Sequence, residues 1–245
     1  MHLTPQPFDS SIFGGPVFRL AAPASAAEPL ETVIADALRQ DARLVMARVA
    51  ASDYETMQAL ERAGFASVET LVTLETAIDG PGEFPPRIRK GGTGDAPACA
   101  EIARTAFIFD RFHADRRIDP EVAAKMKEAW VLNGFAGRAE ACLIANAADG
   151  EIAGFLLTLR QQDALIIDLI AVAPRHQGLG IGRDLIAAAK AYAGASGATA
   201  LRVGTQAANK ASLRLYSAAG FEPVGQSATF HFIPEKRQYC RAVRP

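Results

Sequence analysis

The sequence predicts an α/β fold of the α+β type: a mixed sheet with helices packed on it. Two patterns and one quantity predict it. Short apolar runs with strand character alternate with longer segments whose apolar residues recur three and four apart. In the second half three strand-like runs follow one another directly, the first two joined by the hairpin turn Ala148-Asp149-Gly150. Hydrophobic residues make up 49% of the 245, enough for a sizeable core.

Taken in order, Leu44 to Val49 reads as a strand, Asp53 to Ala63 as a helix ended by Gly64-Phe65, and Val68 to Leu74 as a second strand. Asp79 to Gly94 (DGPGEFPPRIRKGGTG) is dense in Pro and Gly and reads as a linker unsuited to a helix or a central strand. It divides the chain near Pro85 into an N-terminal domain, residues 1–85, and a larger one, residues 86–245. Asp95, before Ala-Pro, is the expected N-cap of a helix through Phe107, and a second helix spans Pro120 to Leu132. Strands are expected at Ala141–Asn146, Glu151–Arg160 and Ala164–Val172, the last ended by Pro174. Helices follow at Asp184 to Tyr192 and Asn209 to Ala218, with a strand at Thr199 to Thr205 between them.

The most informative stretch is Gln177-Gly178-Leu179-Gly180-Ile181-Gly182, between a strand and a helix. At a helix start the amides have no intrahelical partners and the helix dipole favours negative charge. Glycines there permit a tight turn and close approach of a phosphate, although packing alone is a second reason for them. The run is neither a Rossmann fingerprint nor a P-loop: no acidic ribose partner follows the next strand, and no Gly-Lys-Ser/Thr is present.

Gln-x-x-Gly-x-Gly after a strand ending Val-x-Pro resembles the acetyl-CoA-binding motif of the GNAT acyltransferases. Asn209…Leu215-Tyr216…Gly220-Phe221 resembles their second motif, in the right order and spacing. The resemblance covers roughly Gly92 to Phe232 and implies a mixed, mostly antiparallel GNAT sheet, acetyl-CoA as cosubstrate and, at family level, a homodimer. It further implies that the amides of Gln177, Gly178, Leu179, Gly180, Ile181 and Gly182 hold the coenzyme diphosphate. Backbone of Leu169, Ile170, Ala171 and Val172 would pair with the pantetheine arm, with the Val172 amide polarising the thioester carbonyl. Asn209 would hydrogen-bond the arm or cap the following helix, or do both. Tyr216 matches the family's general acid; a phenol titrates near about 10 and is protonated at neutral pH. Its alternative is packing, since Leu213, Tyr216 and Ala219 share a helical face. Asp168, four residues before Val172, is the candidate base, drawing the amine proton through water, or else a binder of the acceptor ammonium.

Two more segments bear on the acceptor. Phe8-Asp9-Ser10-Ser11-Ile12-Phe13-Gly14 resembles the opening of the dTDP-fucosamine acetyltransferases, with Phe8 and Ile12 departing from their pattern. Phe109-Asp110-Arg111-Phe112-His113-Ala114-Asp115, followed by a helix carrying Trp130, resembles another of their segments. The implied acceptor is a primary amine on a nucleotide-linked amino sugar. Arg111 would pair with a diphosphate, Phe112 or Trp130 would stack on a base or sugar face, and His113 and His231 would line the cleft. The plainer readings are an Arg111 ion pair with Asp110 or Asp115, a core Trp130 and a structural His113. A peptide amine, a polyamine or an aminoglycoside is the alternative acceptor, and a coenzyme-binding module without catalysis the non-enzymatic alternative.

A faint internal repeat sets Val49 on Thr205, Asp53 on Asn209, Leu60 on Tyr216 and Gly64 on Gly220. At the same offset the glycine loop falls on Leu20 to Pro23 and the alanine run after it, so the first half reads as a truncated GNAT-like unit without a cofactor site. Net charge is −1, which gives no general attraction to nucleic acid. No apolar stretch reaches the length of a membrane span, and the first residues lack the basic and apolar regions of a secretory leader. Cys99, Cys142 and Cys240, with four histidines, show neither disulfide nor metal-ligand spacing, so no metal and a reducing cytoplasm are expected.

Overall fold

The computed structural model describes residues 1–21 and 29–234. The alanine run after Ala21 and Cys240 therefore lie outside the described residues. The chain divides into two compact units, Met1–Glu69 with the segment from Ser227, and Thr70–Gln226. Pro85, the expected division, falls inside the second unit.

In the first unit, β1 (His2–Pro5), α1 (Pro7–Phe13), β2 (Val17–Ala21), α2 (Leu30–Arg39), β3 (Leu44–Ala50) and α3 (Tyr54–Arg62) follow in order, and β4 (Ala66–Ala77) leaves it. β2 lies antiparallel to β1 and parallel to β3, and the last part of the final strand, β10 (Glu222–Phe232), runs antiparallel to β3. Phe18, Val33, Val45, Leu60, Phe65 and Phe230 form the core. The Phe8–Gly14 motif builds α1: Ser10 Oγ accepts from the Val17 amide at 2.9 Å, tying the helix to β2, and Gly14 ends it at φ 65°.

The second unit carries the rest: β5 (Ile88–Lys90), α4 (Ala96–Ala106), the single turn α5 (Arg111–Ala114), α6 (Pro120–Asn133), β6 (Ala141–Asn146), β7 (Ile152–Gln161), β8 (Ala164–Val172), α7 (Ile181–Ala195), β9 (Ala200–Gln206) and α8 (Lys210–Ala218). Its strands lie in the order β4-β9-β8-β7-β6-β5, antiparallel except for the parallel pair β8/β9. This is the mixed, mostly antiparallel sheet flanked by helices that the sequence implies. Val72, Leu143, Leu156, Leu165 and Leu201 share a core with Ile186 of α7, while Phe155 and Leu169 of the sheet pack with Ile102 of α4 and Val131 of α6. Asp95 departs from its expected role. It stands at the head of α4, but its carboxylate turns back to the Gly92 amide at 2.8 Å and pairs with Arg89 at 2.7 Å.

The repeat is present bond for bond. Asp53 caps α3 by accepting from the Thr56 amide at 3.1 Å, as Asn209 caps α8 through Ser212 at 3.1 Å. Phe65 and Phe221 donate to Leu60 and Tyr216 at 3.0 Å, and Gly64 and Gly220 both have positive φ. The strands then exchange: β4 pairs with β9, Leu71 opposite Gln206, and β10 pairs with β3, Ser227 opposite Ala50. Those two registers coincide under the same offset. Among the described residues no helix is long and apolar enough to cross a membrane, and no cluster has the makings of a metal site.

Candidate active site

The site grows from β8. It pairs with β9 only from Ala164 opposite Ala200 to Ile167 opposite Val203; beyond Ile167 the two part, leaving one edge of 168–172 open. At that point the β7/β8 ladder shifts register, Leu157 opposite Leu169 and Thr158 opposite Ile167, so Asp168 is an extra residue in a bulge. Bulges bend a strand and re-aim side chains, which is how β8 comes away from β9 here. The Ala173 amide bonds the Ala153 carbonyl at 2.9 Å. The alternation of an antiparallel ladder then turns the amide and carbonyl of Val172 away from β7. Gln177 Nε2 donates to that carbonyl at 3.2 Å, tying the glycine loop to the strand end.

Gly178 and Gly180 have φ of 80° and 79°, a conformation that side-chain-bearing residues rarely adopt. Gly182 has a different reason. A Cβ there would stand 3.1 Å from Leu215 of α8 and 4.0 Å from Val172, so the missing side chain lets α7, α8 and the end of β8 converge. Among the described residues the amides of Gly178, Leu179, Gly180, Ile181 and Gly182 have no hydrogen-bond partner, the first bond of α7 being Asp184 N to Gly180 O, whereas the Gln177 amide, expected in the same set, already donates to the Pro174 carbonyl at 3.3 Å. Five consecutive unpaired donors at a helix start fit a diphosphate by the chemistry of the donor set alone.

Tyr216, next to Leu215, is 2% exposed and packs its ring on Phe221 at 5.6 Å. Its hydroxyl makes no hydrogen bond among the described residues, and burial pushes the phenol above its ordinary value. Asn209 uses its side-chain oxygen as the cap of α8, and its side-chain Nδ2 makes no hydrogen bond among the described residues. Lys190 Nζ donates to Ala219 O at 2.5 Å, and burial lowers the pKa of this ammonium.

A second cluster sits on α5 and α6. The buried Asp110 carboxylate accepts from the Phe112 amide at 3.0 Å and His113 Nδ1 at 2.5 Å, with Lys127 Nζ at 3.8 Å. Burial alone would push Asp110 up, but Lys127 and His113 outweigh it and hold the carboxyl below the usual range. Arg111 lies over Phe112 at 4.4 Å and Trp130 at 5.2 Å, and Lys127 over Trp130 at 4.2 Å. Phe112 is fully buried, so it supports Arg111 and Trp130 rather than offering a face for stacking. Trp130 packs against a cluster containing Leu169 and Ala171, which joins this wall to the open strand. Asp168 does not stand alone: Arg138, in the turn after α6, pairs with it at 2.5 Å. Sequence reasoning missed Lys127 and Arg138. Lys127 stands one helical turn before Trp130, a signal that was available; nothing local marks Arg138.

Residues 102–221 match the family described as Acetyltransferase (GNAT) family. The chain is 32% identical over 177 residues to a dTDP-fucosamine acetyltransferase of Escherichia coli O6:H1, covering 72% of this chain and 75% of that protein.

The chain belongs to the GNAT acetyltransferase family.

It is thus an acyl-CoA-dependent N-acetyltransferase by family. A second relative, the spore coat polysaccharide biosynthesis protein SpsD of Bacillus subtilis, is 31% identical over 143 residues; the GNAT chain here spans 49% of its length. Two solved GNAT structures share the fold. One, a GCN5-related N-acetyltransferase from Sphaerobacter thermophilus, has TM-score 0.58 at 19% identity, over 83% of this chain and 65% of that one. The other, a tandem GNAT protein from the clavulanic acid biosynthesis pathway, has TM-score 0.63 at 16% identity, over 91% and 77%.

Proposed function

We propose that the protein transfers an acetyl group from acetyl-CoA to the primary amine of a nucleotide-linked amino sugar, directly, in a ternary complex. When bound, acetyl-CoA supplies the acetyl group as a thioester and leaves as a thiol. The amides of Gly178 to Gly182 hold its diphosphate, and the open edge of Leu169, Ile170, Ala171 and Val172 extends along its amide arm as an added strand would. The Val172 amide, turned away from β7, stabilises negative charge on the carbonyl oxygen. Asn209 offers the arm its side-chain nitrogen. Tyr216 donates its proton to the departing sulfur. Burial makes the phenol a weaker acid, but sulfur charge developing in the same desolvated place is also more basic. The amine loses its own proton through water to Asp168 or to solvent.

Direct transfer is also favoured by the two thiols among the described residues. Burial pushes Cys99 up to about 12 and Cys142 to about 11, so neither is a nucleophile at neutral pH. On the acceptor side, one observation carries the reading: the Arg111 guanidinium is layered against Phe112 and Trp130, beside Lys127. A cation on an aromatic shelf suits a nucleoside diphosphate, and His113, oriented through Nδ1 by Asp110, presents Nε2 to a sugar hydroxyl or amine. The relative named as a dTDP-fucosamine acetyltransferase supports the same acceptor class.

The test is a coenzyme-release assay with purified protein and acetyl-CoA against nucleotide-linked amino sugars, free amino sugars, peptides and polyamines. Turnover is expected with the nucleotide-linked sugars. Turnover confined to peptides or polyamines would overturn the acceptor class, and no release with any amine would overturn the activity.

A further inference from the structure

The first part of the expected linker, Asp79 to Arg87, is strapped along α7. A Cβ on Gly194 would fall 1.9 Å from the Gly80 carbonyl, and one on Gly82 would meet Ala191 at 3.4 Å. Only a bare glycine lets the strap cross the helix so closely. Phe84 packs on the core beneath α7, and the Arg87 carbonyl accepts from the Asn146 amide of β6 at 3.0 Å. The backbone at Arg87 is therefore held beside the head of α7.

The Arg87 side chain reaches the glycine loop from there. Nη1 donates to the Leu179 carbonyl at 3.2 Å, and Nε pairs with Asp184 Oδ2, in the first turn of α7, at 2.9 Å. Both contacts matter electrostatically. An acidic side chain in the first turn suits the helix dipole but opposes an anion at the same end, and a guanidinium against it offsets that opposition. The Arg87 side chain is 42% exposed, and its remaining N–H donors have no partner among the described residues.

We infer that Arg87 is a second half of the coenzyme grip: braced by Asp184 and the Leu179 carbonyl, it turns its free N–H donors to the coenzyme phosphates. The inference rests on the coenzyme reading above. It makes the strap a working part of the donor site rather than a tether.

The test uses the full chain and two donors, acetyl-CoA and S-acetylpantetheine, which lacks the phosphates. Arg87→Ala is expected to raise the calorimetric Kd for CoA about tenfold, the loss of one charge-assisted contact. It should lower kcat/KM for acetyl-CoA in proportion, with kcat at saturation unchanged and kcat/KM for S-acetylpantetheine unchanged. Arg87→Lys, which keeps the charge but cannot span both acceptors, should fall between. A CoA Kd within about twofold of wild type, or equal losses with both donors, overturns the inference. Should Arg87→Ala fail to fold, Arg87→Gln is read against the same limits. The two readings fail separately: wild-type protein that does not bind CoA sinks the coenzyme reading, whereas CoA binding abolished by Gly180→Asp yet untouched by Arg87→Ala sinks only this one.

Discussion

Replacing Tyr216 by Phe removes one oxygen from a side chain that is 2% exposed and makes no hydrogen bond through its hydroxyl among the described residues. The ring contact with Phe221 and the packing under α7 survive, because Phe fills the same volume. Nothing in the fold depends on that oxygen. Stability should therefore change by less than about 1 kcal/mol, which for a chain of this size moves Tm by about 2–4 °C at most. A general acid, by contrast, is worth about 10²- to 10⁴-fold in rate, or roughly 3–5 kcal/mol of barrier. The two effects are far enough apart to separate. The assay is coenzyme release at saturating acetyl-CoA and acceptor, paired with thermal unfolding of the same samples. The expected result is a kcat lowered at least about a hundredfold with Tm and CoA affinity unchanged. A kcat within about twofold of wild type would refute the general-acid assignment, and a Tm loss of more than about 5 °C would refute the claim that the hydroxyl is structurally idle. The raised phenol also sets a pH limit. The folded group keeps its proton where an unfolded tyrosine loses it, so the acid stays loaded through about pH 10, while the stability tied to that proton is full below about 10 and is lost as pH rises from there toward the folded pKa. An activity loss on the alkaline side that begins near neutrality must come from another group.

Three further outcomes follow from named contacts. Asp110→Asn removes the buried carboxylate that faces Lys127 and His113 and should cost about 3 kcal/mol at neutral pH. Because the carboxyl is held below the usual range, that deficit should shrink as pH falls below about 4 toward the folded pKa, which paired unfolding curves would reveal. Arg138→Ala frees the Asp168 carboxylate from its guanidinium and should change the acceptor KM while leaving the CoA Kd alone; a shift in CoA affinity instead would place the pair on the donor side. Residues 86–245 expressed alone lack β4, stripping β9 of one of its two neighbours from Leu71 opposite Gln206 to Ala77 opposite Ala200, and should be unfolded by circular dichroism. A cooperative thermal transition from that fragment would contradict the strand exchange.

Much of this was legible residue by residue. Gly178 and Gly180 announce positive φ, Pro174 ends a strand, and Asn209 and Asp53 stand where caps belong, because these signals act within a turn of chain. Some local readings still miscarried. Asp95 had the position of a cap, but Arg89, six residues earlier, holds its carboxylate instead. Phe112 looked like a stacking surface and is interior, since burial depends on what the rest of the chain places above it.

From the chain of letters alone came the alternation of strands and helices, the glycine loop at the head of α7 and the repeat of the first half in the second. Each rests on spacing between near neighbours, which the backbone converts directly into turns, caps and faces. Folding in three dimensions decided the rest: that β4 and β10 trade partners, that a bulge at Asp168 opens β8, and that Arg87 and Arg138 reach carboxylates far along the chain. Those choices join residues as far apart along the chain as Val45 and Phe232. Their selection depends on packing and charge summed over the whole molecule, which no local pattern encodes.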